Sequence, residues 1–229
     1  MSSLRVVIVS DTHGFHDQVE IPEGDILIHA GDGCSRGTLD EAAAWLDALR
    51  RLPHAHKLVI AGNHDRCFET TPQSIRGLTK GLTYLQDSEV TIAGLRFWGA
   101  PWQPWFLSWA FNLQRGAPIA QKWALIPDDI DVLITHGPPA GILDETWDTR
   151  SVGCEDLLRV TQRIRPRLHV FGHIHESYGA LEREGTLFVN ASTCTLGYQP
   201  SQAPVIVDLP RDRTKPASLI HIGPRVSKR

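Results

Sequence analysis

Residues that commonly bind metal ions recur along the chain, each group directly after a short apolar run. The groups are Asp11 with His13, Asp32, Asn63 with His64 and Asp65, His136, and His173 with His175. Carboxylate, imidazole and amide donors together favour Mn²⁺, Fe²⁺ or Zn²⁺ over the ions of a thiolate site. Seven of these nine side chains acting as ligands would be too many for one zinc ion and would suit two ions that share a carboxylate. Two ions roughly 3.5–4 Å apart hold a bridging water, lower its pKa and bind phosphoryl oxygens.

The spacing within two of the groups places both side chains on one side of an extended chain. Asp11 and His13 are two residues apart, as are His173 and His175, so each pair points in one direction. Glycines beside the candidate ligands allow sharp backbone turns. They are Gly31, Gly62, Gly137 and Gly172. A lone histidine is usually a hydrogen-bonded core residue, but five groups in order are hard to explain by packing.

The apolar runs that precede these groups have the length of β-strands. They cover residues 5–10, 26–30, 57–61, 131–135 and 168–171. Continuous β-branched runs are typical of strands buried on both faces. Helical patterns over 38–52, with Thr38 or Asp40 as the N-cap, and over 154–164 alternate with them and predict an α/β protein. Ligands bind beyond the carboxyl ends of such strands, which is where the polar groups stand.

The last fifty residues have a different pattern. Short strand-like runs cover 178–182, 186–190, 205–209 and 219–222, and Glu184-Gly185 is a candidate hairpin turn. We expect these runs to form the antiparallel strands of a second sheet that packs on the first within one domain, residues 1–229. The basic residues at 225–229 are expected to be a solvated end.

Composition narrows the class of protein. The chain has 229 residues, a formal charge of −3 and 41% hydrophobic residues, which excludes a disordered or fibrous protein. The slightly acidic balance argues against a partner that is a nucleic-acid polymer. No apolar run reaches the roughly 18 residues of a membrane helix, and the first run meets Asp11 too soon for a signal peptide. Four widely spaced cysteines predict free thiols, so we expect a cytoplasmic protein without a membrane partner.

Taken together, the polar groups resemble the motifs of the calcineurin-like metallophosphoesterase superfamily, in order from Asp11 to His175. Further segments resemble its metallophosphoesterase-domain-containing (MPPED-type) phosphodiesterases. They are ThrHisGlyProPro at 135–139, GlyIleLeuAsp at 141–144, PheGlyHisIleHisGlu at 171–176, AsnAlaSer at 190–192, and parts of 98–116. The resemblance implies a four-layer αββα sandwich with two mixed β-sheets.

The resemblance also implies a role for each residue. Asp11, His13, Asp32 and His175 would bind the first metal ion, and Asp32, Asn63, His136 and His173 would bind the second. His64 would stand over the phosphate, where it stabilises the transition state or protonates the leaving oxygen after attack by a hydroxide bound to both metals. Asp65 would orient the imidazole of His64. Some MPPED-type members have glycine in place of the histidine at 173, but here that histidine is present.

An aromatic segment at 98–111 is the candidate substrate contact. Trp102 or Trp105 would stack on a nucleobase or aryl group, and the alternative is an aromatic mini-core that packs an irregular loop. Arg66 and Arg115 are candidate phosphate contacts, with solvated surface arginines as the alternative.

The expected activity is hydrolysis of small phosphodiesters, either cyclic nucleotides or aryl phosphodiesters, with Mn²⁺ as the metal in an assay and Fe or Zn as alternatives. Two other functions remain open. One is a phosphomonoesterase of the same superfamily, and the other is a non-catalytic scaffold that keeps the fold for protein interactions. A scaffold of this kind usually loses ligands or the mobile histidine, and this chain keeps His64 and all seven ligands.

Overall fold

Two β-sheets form the centre of the protein, which is described by a computed structural model for residues 3–224. The strands are β1 (Ser3–Val9), β2 (Ile26–His29), β3 (His56–Val59), β4 (Thr83–Tyr84), β5 (Ser88–Ile92), β6 (Leu95–Ala100), β7 (Gln103–Pro104), β8 (Asn112–Leu113), β9 (Val132–Thr135), β10 (Leu168–Phe171), β11 (Gly179–Arg183), β12 (Thr186–Asn190), β13 (Val205–Pro210) and β14 (Ser218–His221). The helices are α1 (Leu39–Arg51), α2 (Arg66–Thr70), α3 (Pro72–Leu78), α4 (Ala117–Trp123) and α5 (Glu155–Ile164). The basic residues at 225–229 lie outside the described residues.

Both sheets have six strands and mix parallel with antiparallel pairs. The first has the order β14-β13-β1-β2-β3-β4, and the second has the order β11-β12-β10-β9-β6-β5. Strands β1, β2 and β3 are parallel, as are β6, β9, β10 and β12. Parallel neighbours end at the same edge of a sheet, so the polar residues that follow them are brought together.

Alternation along the buried strands separates two apolar layers. In β1, Val6 and Ile8 face the second sheet, whereas Val7 and Val9 pack against helices. Helices α1, α2 and α3 cover the outer face of the first sheet with side chains such as Trp45. Helices α4 and α5 cover the second sheet, where Trp123 packs near Leu133 of β9. The expected four-layer αββα sandwich is confirmed.

Local signals in the sequence account for the ends of the longer helices. Helix α1 begins with a capping box: the Glu41 backbone N–H donates to the Thr38 hydroxyl at 3.2 Å, and the Thr38 N–H donates to the Glu41 carboxylate at 3.2 Å. Helix α5 ends where Arg165 turns left-handed, at φ 45°, directly before Pro166. These caps fix where the chain leaves each helix for the next strand.

The four C-terminal strands do not form the antiparallel second sheet that their pattern predicts. Strands β11 and β12 form a hairpin through Glu184 and Gly185, both at positive φ, and β12 then joins the second sheet parallel to β10. Strand β13 instead pairs antiparallel with β1 in the first sheet, and β14 follows it there. The alternation of buried and exposed residues along a strand is the same in either sheet. It therefore cannot reveal with which sheet edge the strand pairs.

Neither a disulfide nor a candidate membrane helix occurs in the described part of the chain. All four cysteines are buried and unpaired, which agrees with the expected free thiols. Between residues 3 and 224, no helix has both the length and the apolar content needed to cross a membrane.

Candidate metal centre

The carboxyl ends of five strands meet at one rim, where the two sheets face each other. The backbone N–H of Asp11, after β1, donates to Gly31 O after β2 at 2.9 Å. The N–H of His173, after β10, donates to both carboxylate oxygens of Asp11 at 3.0 and 3.1 Å, which joins the two sheets. This rim brings together the seven predicted ligands and His64.

The candidate donor atoms form three overlapping groups, and within each group they lie within 4.8 Å of one another. The groups are Asp11, His13 and His175; His13, Asp32 and His64; and Asp32, His136 and His173. We name the first and the last the first and second metal groups. Asp32 Oδ2 lies 3.3 Å from His136 Nε2 and 3.9 Å from His13 Nε2, so this carboxylate stands between the two groups. That is the place for a carboxylate that bridges two ions.

Backbone carbonyls hold the imidazole rings in the orientation that metal binding needs. The Nδ1 atoms of His13, His136 and His175 donate to the carbonyls of Cys34, Ala30 and Thr195 at 3.3, 2.9 and 3.0 Å. Each ring therefore presents Nε2 to the centre of the site. Asn63 Oδ1 also lies there, 2.9 Å from His136 Nε2. A set of buried Nε2 atoms, carboxylates and one amide oxygen fits two divalent cations of the Mn²⁺, Fe²⁺ or Zn²⁺ type.

Backbone conformation at the rim is strained. Four candidate ligands have positive φ angles although none is glycine: Asp11 (53°), His13 (43°), Asp32 (56°) and His173 (68°). Such conformations persist only when the surrounding structure imposes them, and they concentrate at functional sites. Gly172 shows how close the packing is, because a Cβ there would collide with the Asp11 carboxylate.

The two carboxylates of the site are held in their ionised form. Burial opposes ionisation of Asp11, but the hydrogen bond from His175 and the charge of that ring hold its pKa well below the ordinary value. Burial also opposes ionisation of Asp32, and the charge and hydrogen bond of His136 again lower its pKa. Both groups are therefore ready to bind a cation without losing a proton.

The imidazoles differ from one another in charge. Burial lowers the pKa of His13 to about 4 and that of His173 to about 3, so both rings are neutral. For His136, burial disfavours the charged ring, but the charge and hydrogen bond of Asp32 raise its pKa to about 9. Without metal, His136 is therefore protonated at neutral pH.

Metal affinity should consequently increase with pH. A cation at the second metal group must displace the proton of His136, so affinity should fall by about tenfold for each pH unit below the pKa near 9. Calorimetric titration of the metal-free protein with Mn²⁺ at pH 6, 7 and 8 measures this, and buffers of different ionisation enthalpy give the number of protons released. Equal affinity at all three pH values would contradict the assignment of His136 as a ligand.

His64 is placed differently from the other imidazoles. It is partly exposed, its Nδ1 donates to Ser35 O at 2.7 Å, and its backbone N–H donates to Asp32 Oδ1 at 2.7 Å. The ring stacks on Trp109 with centroids 4.1 Å apart. The partly exposed position beside the middle donor group suits contact with substrate, although one nitrogen of His64 also lies within 4.8 Å of donor atoms of His13 and Asp32.

Asp65 does not take the predicted place beside the imidazole of His64. Its carboxylate is buried and accepts the backbone N–H groups of Asp32, Cys34 and Gly62, each at 2.8 Å. Burial and the charge of Asp32 raise the pKa of Asp65 to about 6. Asp65 therefore holds together the turns that carry Asp32 and His64.

The two candidate tryptophans have different environments. Trp105 is 57% exposed and lines a cavity of about 390 Å³ over the metal groups. Trp102 instead packs edge-on against Phe111 and beneath the Lys122 ammonium, and its indole N–H donates to Asp87 at 2.7 Å. Trp102 thus belongs to an aromatic mini-core, which was the predicted alternative to substrate contact. Trp105 offers an aromatic face to the cavity.

The two candidate arginines already make hydrogen bonds to backbone carbonyls. Arg66 donates to Ser108 O at 2.7 Å, and its guanidinium lies over the Trp109 ring. Arg115 lines the cavity, but it donates to Val152 O and Gly153 O at 2.7 Å each. Both side chains stabilise the loops around the cavity.

Some residues around the site have no role in the predicted ligand pattern. Ser192 Oγ donates to Asp11 Oδ2 at 3.0 Å. Asn190 accepts from the Ser192 N–H at 3.1 Å and donates to the carbonyl of Ile174, which lies between the two ligands that follow β10, at 2.9 Å. Asn190 ends β12 and Ser192 follows it, in the AsnAlaSer segment whose resemblance to the family was the one available signal. Tyr198 lies in an irregular loop without periodicity, and its ring contacts His13 at 4.9 Å between centroids.

Solved structures share this fold at low sequence identity. A Thermus thermophilus protein, TT1561, superposes with a TM-score of 0.60 at 12% identity over 95% of this chain and 98% of its own. A protein described as a novel archaeal phosphodiesterase gives a TM-score of 0.51 at 17% identity over 94% of this chain and 98% of its own. At these identities the likeness concerns the fold alone.

Sequence comparison identifies nearer relatives. Metallophosphoesterase domain-containing protein 1 of Homo sapiens is 45% identical over 91% of this chain and 72% of its own length, and the Mus musculus protein gives the same values. The family model for calcineurin-like phosphoesterases matches residues 4–177, which include every candidate metal ligand. The chain belongs to the calcineurin-like phosphoesterase family.

Proposed function

We propose that this protein hydrolyses small phosphodiesters with two divalent metal ions held by the seven candidate ligands. Family membership supports a metal-dependent phosphoester hydrolase. The observation that carries the finer proposal is the pair of donor groups that meet at Asp32, with His64 exposed beside them. One ion would be held by Asp11, His13, Asp32 and His175, and the other by Asp32, Asn63, His136 and His173. When bound, such cations supply Lewis-acid chemistry: they withdraw charge from a phosphoryl group and make nearby water more acidic.

The chain itself supplies the proton for the leaving group. His64 Nδ1 is committed to Ser35 O, so Nε2 is the ring nitrogen that remains for the substrate. Stacking on Trp109 restricts rotation of the ring, and the partly exposed position lets Nε2 reach an ester oxygen above the metal groups. A protonated Nε2 would donate its proton to that oxygen as the ester bond breaks.

A diester is favoured over a monoester by the charges around the cavity. A phosphomonoester is close to a dianion at neutral pH, and its extra charge calls for free cations in the protein. The two arginines that line the cavity are instead paired with carboxylates: Arg115 donates to Glu155 at 2.7 Å, and Arg150 donates to Asp148 at 2.6 Å. The aromatic face of Trp105 suits the apolar substituent of a diester, such as the base of a cyclic nucleotide or an aryl group.

The direct experiment compares one aryl phosphodiester with the monoester that has the same leaving group, both with Mn²⁺ after removal of metal. We expect the larger kcat/KM for the diester. A preference for the monoester would assign the protein as a phosphomonoesterase. Absence of turnover for both esters, with metal bound, would favour a non-catalytic scaffold.

Trp105 provides a separate test of substrate contact. Replacing Trp105 by alanine should raise KM for a cyclic nucleotide by about 5–150-fold with little change in kcat, because the base loses the ring on which it stacks. Leu107→Ala is the matched control, because Leu107 is as exposed and lies on the same loop. If the Trp105→Ala and Leu107→Ala proteins have equal KM values, Trp105 does not bind the base.

A further inference from the structure

A second apolar wall lines the cavity over the metal groups, and the metal-binding motifs do not explain it. It consists of Trp147, Leu196 and Tyr198, which are 63%, 53% and 44% exposed. They come from two irregular loops that are far apart in sequence. Large apolar side chains grouped on the surface around a cavity mark a binding surface.

Each member of this second wall is tied to the first metal group through the neighbourhood of His175. The Tyr198 ring lies 5.7 Å from the ring of His175. Leu196 follows Thr195, whose carbonyl accepts the His175 Nδ1–H at 3.0 Å. Trp147 is anchored by its backbone N–H, which donates to Glu176 Oε1 at 2.8 Å. The second wall therefore stands beside the first metal group.

The first wall, Trp105 and Phe106, stands beside the second metal group. The Phe106 ring lies 6.2 Å from the ring of His173. Both residues line the same cavity as the second wall, and Asp32 lies between the two metal groups. A phosphoryl group placed over Asp32 therefore has an apolar wall next to each of the two metal groups.

The two ester oxygens of a phosphodiester leave phosphorus in different directions, so two substituents can contact two walls. A ring-closed ester such as a cyclic nucleotide offers one base and fills one wall. We propose that the site prefers acyclic phosphodiesters with a flat apolar or aromatic group on each ester oxygen, one against each wall. This inference rests on the proposed phosphodiesterase function, which it narrows to one class of substrate.

Two chromogenic diesters with the same leaving group test the inference. Phenyl p-nitrophenyl phosphate has an aromatic group on both sides, and methyl p-nitrophenyl phosphate lacks one of them. With Mn²⁺, and with each rate divided by that of the uncatalysed reaction, the phenyl ester should have a kcat/KM about 5–150-fold larger, mainly through KM. The variant Trp147→Ala, Leu196→Ala removes two of the three members of the second wall and should lower this ratio.

A matched control separates loss of the wall from loss of exposed apolar surface in general. Leu125 is 51% exposed and does not line the cavity, so Leu125→Ala should keep the phenyl preference. Hydrolysis of both esters at equal normalised rates would overturn the inference and leave the phosphodiesterase intact. Equal loss of the ratio in Leu125→Ala and the wall variant would also overturn it. Failure to hydrolyse either ester would instead reject the proposed function itself.

Discussion

Alanine in place of His64 is expected to slow hydrolysis by about 10²–10⁴-fold while the metal content stays at that of the parent protein. The ring has one nitrogen committed to Ser35 O, which leaves the other for the substrate, and it stacks on Trp109 outside the two metal groups. The loss should be smaller for an ester with a good leaving group, such as p-nitrophenolate, because that group departs without a proton. Kinetics on a pair of esters that differ in leaving-group pKa measures the difference.

Elemental analysis of the same variant shows whether His64 acts as a general acid or as a metal ligand. His64 belongs to the middle donor group with His13 and Asp32, so distances alone allow coordination. His56→Ala is the control, since His56 is exposed on β3 away from the rim. If His64→Ala loses one equivalent of metal and His56→Ala does not, His64 is a ligand and the proposed acid role is wrong.

Alanine in place of Asp32 is expected to have a larger effect, because both metal groups lose a ligand at once. Loss of a residue that only hydrogen-bonds a metal ligand typically lowers metal affinity by about 10–100-fold. Loss of a carboxylate that binds both ions directly should therefore lower the affinity for each ion by more than about 100-fold. Activity at limiting Mn²⁺ should then be undetectable. Metal titration of Asp32→Ala beside Asp40→Ala, an exposed carboxylate of α1, measures the loss. Retention of two tightly bound ions without Asp32 would exclude its bridging role.

The strands and the ligand set could be predicted because both depend on local sequence. Runs such as the one that forms β9 are buried on both faces, and a short, continuous apolar run is typical of a strand in that position. A ligand such as His136 follows its strand by a single residue, so the strand end also gives its position. The topology of parallel strands then places these ends at one rim.

Features set by contacts between distant segments could not be predicted in this way. Two of the three amides that Asp65 accepts, those of Asp32 and Cys34, belong to a distant turn, which no spacing within its own segment reveals. Trp102 and Trp105 are equivalent in a linear pattern, and only the packing of Phe111 and Lys122 around Trp102 distinguishes them. The loop that carries Trp147 is held in part by Asp144, which accepts the backbone N–H groups of Gly141 and Gly153. Such tertiary hydrogen bonds determine which side chains reach the cavity.

The most direct test of the central claim measures activity together with the number of metal ions bound per chain. The protein is stripped with a chelator, and Mn²⁺ is added back while both bound metal and hydrolysis of a chromogenic aryl phosphodiester are measured. Two ions per chain and a shared Asp32 predict no turnover in the stripped protein and full recovery as the second equivalent binds. Full turnover by the metal-free protein, or saturation of activity at one ion per chain, would contradict the account.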